Sequence, residues 1–329
     1  MLTRSAIIVG LGKIGVGRGI AGRGALPNHM RAMEAAGLHI AGLIDPEPDA
    51  HAFVRSECRD HRAVLATTLS EIRRRDEEVI AICTPPETHA GALAEALKRR
   101  PYIIVLEKPV APDLDESVKV MTDAEPTGVD VLVNFHRRFD ARHRRWRGAA
   151  PDAPRLVTAR FGKGIWNYAS HIVDLLLDWY GPVAYVQALA RTAPAERDPN
   201  LSFRCRMEAG FDAVLTGVDG VDYDLFEIDI YGTTEKIEMR GGGAMIRRCK
   251  AVDGLYHAGY ADLVQIEADT GVVDGLSELY AHIASAARPH GCSLADAVAN
   301  AAVLDAALDS AARGGAAVEP HIRYSKGDR

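Results

Sequence analysis

The chain has 329 residues, of which 47% are hydrophobic and 26% charged, the mixture of an ordinary globular protein. That excludes a disordered chain, a fibre and a coiled coil, and the length predicts two domains. With 39 Lys and Arg against 45 Asp and Glu, the net charge is −6, which argues against nucleic acid or an anionic membrane as the main partner. The five cysteines, Cys58, Cys83, Cys205, Cys249 and Cys292, form no CxxC pair and read as reduced thiols. No apolar run reaches the ~20 residues of a membrane span. The apolar stretch after Met1-Leu2-Thr3-Arg4-Ser5 is too short for a leader core, so a cytoplasmic location is expected.

Five continuous apolar runs mark the first 135 residues: Ala6–Val9, Ile40–Ile44, Val79–Cys83, Ile103–Leu106 and Val131–Phe135. Unbroken runs suit strands covered on both faces, as in a parallel sheet. Helical stretches lie between them. In His89–Arg100, Leu93 and Leu97 share a face and a Lys-Arg-Arg run occupies the last turn, where cations suit the helix dipole. The alternation predicts an α/β, doubly wound domain over residues 1–135.

The basic stretch from His136 to Arg147, followed by Pro151 and Pro154, marks the boundary to a second domain, 136–329. There Val183–Arg191, Phe203–Glu208, Ala213–Thr216 and Leu225–Arg240 read as strands of an open, mostly antiparallel sheet. In Phe226-Glu227-Ile228-Asp229-Ile230-Tyr231 apolar and acidic residues alternate, which predicts a strand with one wet face. A final helix is expected over about 293–313, with Ser293 and Asp296 as a capping box.

Gly10-Leu11-Gly12-Lys13-Ile14-Gly15 is a GxGxxG directly after the first strand. Glycine allows the tight turn and the close approach of backbone to a pyrophosphate at a helix N-terminus. Asp45 closes the second strand, where a carboxylate suits ribose hydroxyls and repels a 2′-phosphate, so NAD is expected over NADP. Gly15 and Asp45 are 30 apart, about ten more than the usual ~20. The surplus falls in a Gly- and Arg-rich insertion over Val16–Pro27. Its Arg18 or Arg23 either reaches a phosphate or belongs to a solvated loop.

Glu107-Lys108-Pro109 follows the fourth run, at the strand edge where open α/β sheets bind ligands. A lysine there can hold a hydroxyl or move a proton, although a lysine read alone, as Lys108 is, is more often a surface lysine. The second cluster runs from Gly162 to Asp174. If it is helical, Asn167 and His171 share a face at i and i+4, and His171 and Asp174 lie at i and i+3. No second His or Cys at ligand spacing stands beside His171, so no metal is expected.

Taken in order, GLGKIG, Asp45, Thr84-Pro85-Pro86-Glu87-Thr88-His89, Glu107-Lys108-Pro109, Asn134-Phe135-His136-Arg137-Arg138-Phe139 and Asn167…His171…Asp174 resemble the glucose–fructose oxidoreductase/inositol dehydrogenase (Gfo/Idh/MocA) family. The resemblance spans residues 6 to about 180 and weakens after that. It implies a Rossmann domain, then an α/β domain whose open sheet makes a homo-oligomer contact, and a last helix packing back toward the first domain. It implies hydride transfer between NAD(P) and a secondary alcohol or ketone of a sugar, cyclitol or nucleotide-linked sugar. Lys108 and His171 are then the catalytic candidates, and Asn167, Lys163, Arg138 and Asp174 the substrate-binding ones. Gly10, Gly12, Lys13, Ile14, Gly15, Asp45, Thr84, Pro85, His89 and Glu107 would line the cofactor. Asn167 stands where the family commonly has Asp, so it can hold a hydroxyl but not exchange a proton.

Two other readings remain at this stage. One is a catalytically silent sensor or co-regulator of the same fold, which the intact Lys108/His171 pair argues against. The other makes His136–Arg147 a nucleic-acid patch, since it interleaves arginines with Phe139 and Trp146. A solvated basic helix fits an acidic chain better.

Overall fold

A computed structural model describes residues 4–19, 28–57, 62–151, 153–189, 197–252, 262–285 and 291–322. The chain forms two compact units. The first runs to Ala141 and takes in Asp274–Val298, and the second holds Arg142–Val273 and Ala299–Arg323.

The first unit begins with β1 (Ser5–Val9), the single turn α1 (Lys13–Val16) and α2 (His29–Ala35). Then come β2 (His39–Ile44), α3 (Pro48–Glu57), β3 (Val64–Ala66), β4 (Val79–Ile82) and α4 (Pro86–Lys98). It continues with β5 (Ile103–Leu106), α5 (Leu114–Ala124) and β6 (Val131–Val133). These six strands pair in parallel. Their apolar runs are buried on both faces, against one cluster that includes Ile8, Leu43 and Val105 and another that includes Ile7, Ile80 and Ile104. Strand order is β6-β5-β4-β1-β2-β3. It reverses between β1 and β4, the switch point beside which open α/β sheets bind ligands.

The second unit holds most of α6 (Ala141–Ala149) and then β7 (Leu156–Phe161), a π-helical turn at Ile165–Ala169 and α7 (Ser170–Tyr180). Strands β8 (Val183–Ala188), β9 (Phe203–Met207), β10 (Asp212–Gly217) and β11 (Phe226–Tyr231) follow, then β12 (Glu235–Arg240), β13 (Met245–Val252) and β14 (Asp262–Thr270). They form one eight-stranded sheet, β14-β13-β12-β11-β7-β10-β9-β8, antiparallel except where β10 runs parallel to β7. One face carries the core, with Phe161, Ile172, Phe203, Leu215 and Ile237 among its members. The expected single strand over Leu225–Arg240 is two strands, because the chain turns at Gly232, whose N–H bonds Glu235 O at 2.8 Å.

The expected wet face on Phe226–Tyr231 also needs correction. Asp229 is 3% exposed, covered by Arg240 at 2.8 Å and Lys236 at 3.0 Å from neighbouring β12. Burial alone would raise its pKa, but the hydrogen bonds from Arg240 and Lys236 outweigh it and hold the carboxyl below its usual range. Glu227, paired with Arg160 at 2.8 Å, and Glu235, paired with Arg248, extend this array of paired charges.

After the second sheet come α8 (Gly275–Ala284), β15 (Cys292–Ser293) and α9 (Leu294–Ala312). In the first unit α8 packs Leu276, Leu279, Tyr280 and Ile283 into the core, and β15 pairs antiparallel with β6. Arg4 donates to Ile283 O at 2.7 Å. Ser293 and Asp296 form the expected reciprocal cap: the Ser293 N–H and hydroxyl donate to Asp296 Oδ2, and Asp296 N–H donates to Ser293 Oγ. No helix among the described residues is long and apolar enough to cross a membrane. Cys83, Cys205, Cys249 and Cys292 are free thiols; Cys58 lies outside the described residues.

Candidate active site

The glycine loop joins β1 to α1, and its three glycines do different things. A Cβ on Gly10, whose φ is +95°, would meet the Cys83 and Thr84 backbone at 2.7–2.8 Å. One on Gly15 would lie 2.1 Å from Gly10 O. Both positions therefore need glycine for packing. A Cβ on Gly12 would meet no protein atom within 4 Å, so the cradle is open at the glycine that close approach of a diphosphate requires. Lys13 is exposed and Ile14 half-buried.

The helix after the loop lasts one turn, because Gly17 caps α1 in the left-handed conformation. A helix resumes at His29, where Asn28 accepts from Arg31 N at 3.0 Å. The short helices α1 and α2 thus lie between β1 and β2. One turn supplies little dipole. Arg18 lies just beyond α1, and Arg23, with the rest of 20–27, lies outside the described residues. Asp45 ties the end of β2 to this loop, taking Leu11 N–H on Oδ2 at 2.8 Å and Glu47 N–H on Oδ1 at 2.9 Å.

At the carboxyl ends of β4 and β5 stand Cys83-Thr84-Pro85 and Glu107-Lys108-Pro109. Thr84 Oγ1 is buried with no partner among the described residues, and Pro85 is exposed. His89 is fully buried, with Nε2 2.8 Å from Thr84 O and Nδ1 3.0 Å from Pro109 O, joining the two loops from behind. The Lys108–Pro109 peptide is cis. The Glu107 side chain is 12% exposed, and its Oε1 meets His29 Nε2 at 2.8 Å and Asn134 Nδ2 at 2.6 Å. Burial opposes the charge, yet His29, Asn134 and the Lys108 ammonium hold this carboxyl below its usual range. His29 Nδ1 lies 2.6 Å from Tyr280 OH. Burial, with Cys83 and Glu107 nearby, pushes the Tyr280 phenol well up, and burial does the same to the Cys83 thiol.

In the second unit, His171 and Asp174 are buried on α7, and Ser170 O accepts from Asn300 Nδ2 of α9 at 2.7 Å. The approach to this helix is pinned by 198–200: Asp198 Oδ1 takes Trp166 N–H at 2.7 Å, Asn200 Oδ1 takes Gly164 N–H at 2.7 Å, and Pro199 O takes Ile165 N–H at 2.9 Å. Gly164 has φ +93°, and a Cβ there would sit 2.2 Å from the Asp198 carboxyl carbon. The α-helix begins only at Ser170. Residues 165–169 are wider π turns, a form frequent at functional sites. Sharing a face at i and i+4 assumes 3.6 residues per turn, which the segment carrying Asn167 lacks. Asn167 is exposed.

Lys163, also exposed, bonds Asp224 at 2.7 Å and Tyr168 OH at 3.1 Å. Its pKa is raised, chiefly by the Asp224 hydrogen bond. Tyr168 OH donates to the same Asp224 oxygen. Arg138 pairs with Asp296 at 3.6 Å within the first unit. Other arginines of the basic run are matched too: Arg142 and Arg145 meet Asp269 at 3.2 and 2.8 Å, and Arg147 meets Asp178 at 3.0 Å.

Sequence reasoning missed His29, Tyr280 and Asp224 and gave Asn134 no role. The Asn28 cap before His29 was the one available signal. Nothing local marks Tyr280, 251 residues from its partner.

The family model described as "Oxidoreductase family, NAD-binding Rossmann fold" (GFO_IDH_MocA) matches residues 5–135. The chain is 38% identical over 65 residues to the uncharacterized oxidoreductase YrbE of Bacillus subtilis, a match covering 20% of this chain and 19% of that protein's length. It is 25% identical over 222 residues to the 4-carboxy-2-hydroxymuconate-6-semialdehyde dehydrogenase of a Sphingobium species, covering 58% of this chain and 68% of the other. Two solved structures share the fold across almost the whole chain. UDP-N-acetylglucosamine 3-dehydrogenase GnnA of Acidithiobacillus ferrooxidans has a TM-score of 0.74 at 19% identity, covering 95% of this chain and 98% of that one. The WlbA dehydrogenase of Bordetella pertussis, in complex with NADH and UDP-GlcNAcA, has a TM-score of 0.73 at 17% identity, covering 96% and 97%. Residues 5–135 therefore match the NAD-binding Rossmann fold of the GFO_IDH_MocA oxidoreductase family.

Proposed function

We propose that this protein transfers hydride between NAD and a secondary alcohol or ketone on a sugar, a cyclitol or a nucleotide-linked sugar. The observation that carries the reading is the gathering of an open glycine cradle, Asp45 and Lys108 along the carboxyl edge of β2, β1, β4 and β5. The class of substrate is supported by GnnA, a UDP-N-acetylglucosamine 3-dehydrogenase, and by WlbA, solved with NADH and UDP-GlcNAcA.

Gly10–Gly15 would hold the diphosphate. Asp45 would hold the ribose, since each of its oxygens takes one backbone N–H and keeps a lone pair for a hydroxyl. Thr84, Pro85, His89 and Glu107 would shape the nicotinamide end. The bound nicotinamide supplies the hydride acceptor or donor. His171 takes the hydroxyl proton as the C–H bond gives up its hydride, and Lys108 stabilises the developing alkoxide by its charge. In reduction the same groups protonate the oxygen. Asn167, Lys163, Arg138 and Asp174 complete the substrate contacts, most of them in the second, substrate-binding domain. The enzyme would work in the cytoplasm as a dimer or tetramer joined through the second sheet, whose edge strand β14 exposes Leu263, Val264 and Ile266. Light scattering on a sizing column tests that assembly.

The deciding experiment follows NADH formation across a panel of nucleotide sugars, free sugars and polyols. On an accepted substrate, Lys108→Ala and His171→Ala each lower turnover by roughly 10²–10⁴-fold with NADH affinity largely kept. Near-native turnover in both variants would overturn the assignment, and NADH binding without turnover on any substrate would favour the silent sensor.

A further inference from the structure

We infer that His29 is a positioning residue for the cofactor cleft: it locks the Glu107 carboxylate in one orientation beside Lys108, and Tyr280 and Asn134 complete the clamp. The inference rests on NAD occupying this cleft and is independent of the substrate.

Two arrangements of protons satisfy these contacts, and in both His29 donates to Glu107. An ionised Glu107 only accepts, so His29 Nε2, 2.8 Å from Oε1, must carry hydrogen. His29 Nδ1 and Tyr280 OH meet across 2.6 Å, the phenol donating to a neutral ring or accepting from an imidazolium. The Asn134 amide donates to the same Oε1 at 2.6 Å. The other ionisable groups acting on Glu107 or Tyr280 are the Cys83 thiol and the Lys108 ammonium. Two donors use both lone pairs of Oε1, so any ligand contact of Glu107 falls to Oε2. The clamp therefore decides which oxygen Glu107 presents and where.

The parts come from distant elements. His29 opens α2 under its own Asn28 cap. Tyr280 comes from α8, fully buried and edge-on to the His29 ring at 5.7 Å between centroids. His29 is itself 0% exposed, so it touches no ligand and acts only through Glu107.

The test measures NADH dissociation constants by fluorescence on the full chain, with melting temperatures alongside. The variants are His29→Ala, His29→Gln, Tyr280→Phe, Glu107→Gln, and His29→Ala combined with Glu107→Gln. His29→Ala is expected to weaken NADH roughly tenfold, the scale of one hydrogen bond to a charged group. His29→Gln, whose amide nitrogen can replace the Nε2 donor, restores affinity to within about threefold, and Tyr280→Phe falls between. On the Glu107→Gln background, His29→Ala adds less than about twofold, the signature of action through one partner. Independent losses in the double variant overturn the inference, as does a lower melting temperature with unchanged NADH affinity, which marks a merely structural clamp. Failure of the unmodified protein to bind NADH would instead overturn the cofactor assignment, and this inference with it.

Discussion

The parallel sheet of the first unit and the larger sheet of the second differ in what covers their faces. Strands β1, β4 and β5 are apolar on both sides and fully buried, so the polar groups of that unit collect at the strand ends. Strands β11 and β12 put one face into the core and line the other with matched charges, Asp229 with Arg240 and Lys236, Glu227 with Arg160, Glu235 with Arg248. The first arrangement leaves its strand edge available for a ligand. In the second, every carboxylate named meets a cation of the same sheet, and the charge is spent on holding neighbouring strands together.

That contrast can be broken from either side. In the first unit, Gly15→Ala pushes a methyl against Gly10 O and should cost about 3 kcal/mol, read as a loss in urea midpoint. Gly12→Ala, with open space around it, should leave stability within about 0.5 kcal/mol yet weaken NADH at least roughly tenfold. If both glycines behave alike, the division between packing and cofactor cradle fails. In the second unit, Asp229→Ala removes the carboxylate that Arg240 and Lys236 share, leaving Lys236 on Glu238 and Arg240 on the Ile228 and Met239 carbonyls, and should cost about 1–2 kcal/mol with NADH affinity unchanged.

Acid should act on both units. The carboxyls of Glu107, Asp229 and Glu238 all sit below their usual range in the folded state. The stability they confer is fully present above the ordinary carboxylate range and is lost as pH falls through their lower folded values. Urea midpoints between pH 7 and pH 3 should therefore decline, and Asp229→Asn should flatten part of that decline. A steeper decline in the variant would show that the cations do not govern this group. The smallest effect belongs to Arg160→Ala. Its partner pair with Glu227 is about half exposed on the arginine side and should contribute under ~1 kcal/mol; a larger loss would mean that the charged face is itself covered.

The sequence was most informative where one physical rule acts alone. Buried parallel strands need unbroken apolar runs, so β1, β2, β4 and β5 could be read to within a residue or two. The glycine loop could be read because its steric demands are local. Strands β7, β13 and β14 went unread, since charged residues such as Arg160, Arg247 and Glu267 interrupt any apolar pattern until their cross-strand partners are known. The same holds at the site. Lys108 and His171 stand out by motif, but His29 and Tyr280 gain meaning only from each other. The π turns before Ser170 depend on Asp198 and Asn200, some thirty residues downstream.

Tyr280, the Ile283 carbonyl that receives Arg4, and β15 against β6 all lie behind the second sheet in chain order. A ribosome that has released only the first 141 residues has made six parallel strands without their last helix, their outer strand or the phenol behind Glu107. The nucleotide-binding unit is thus finished only after the second sheet has been synthesised, and a nascent chain stalled before Gly275 should be protease-sensitive where one that extends past β15 resists.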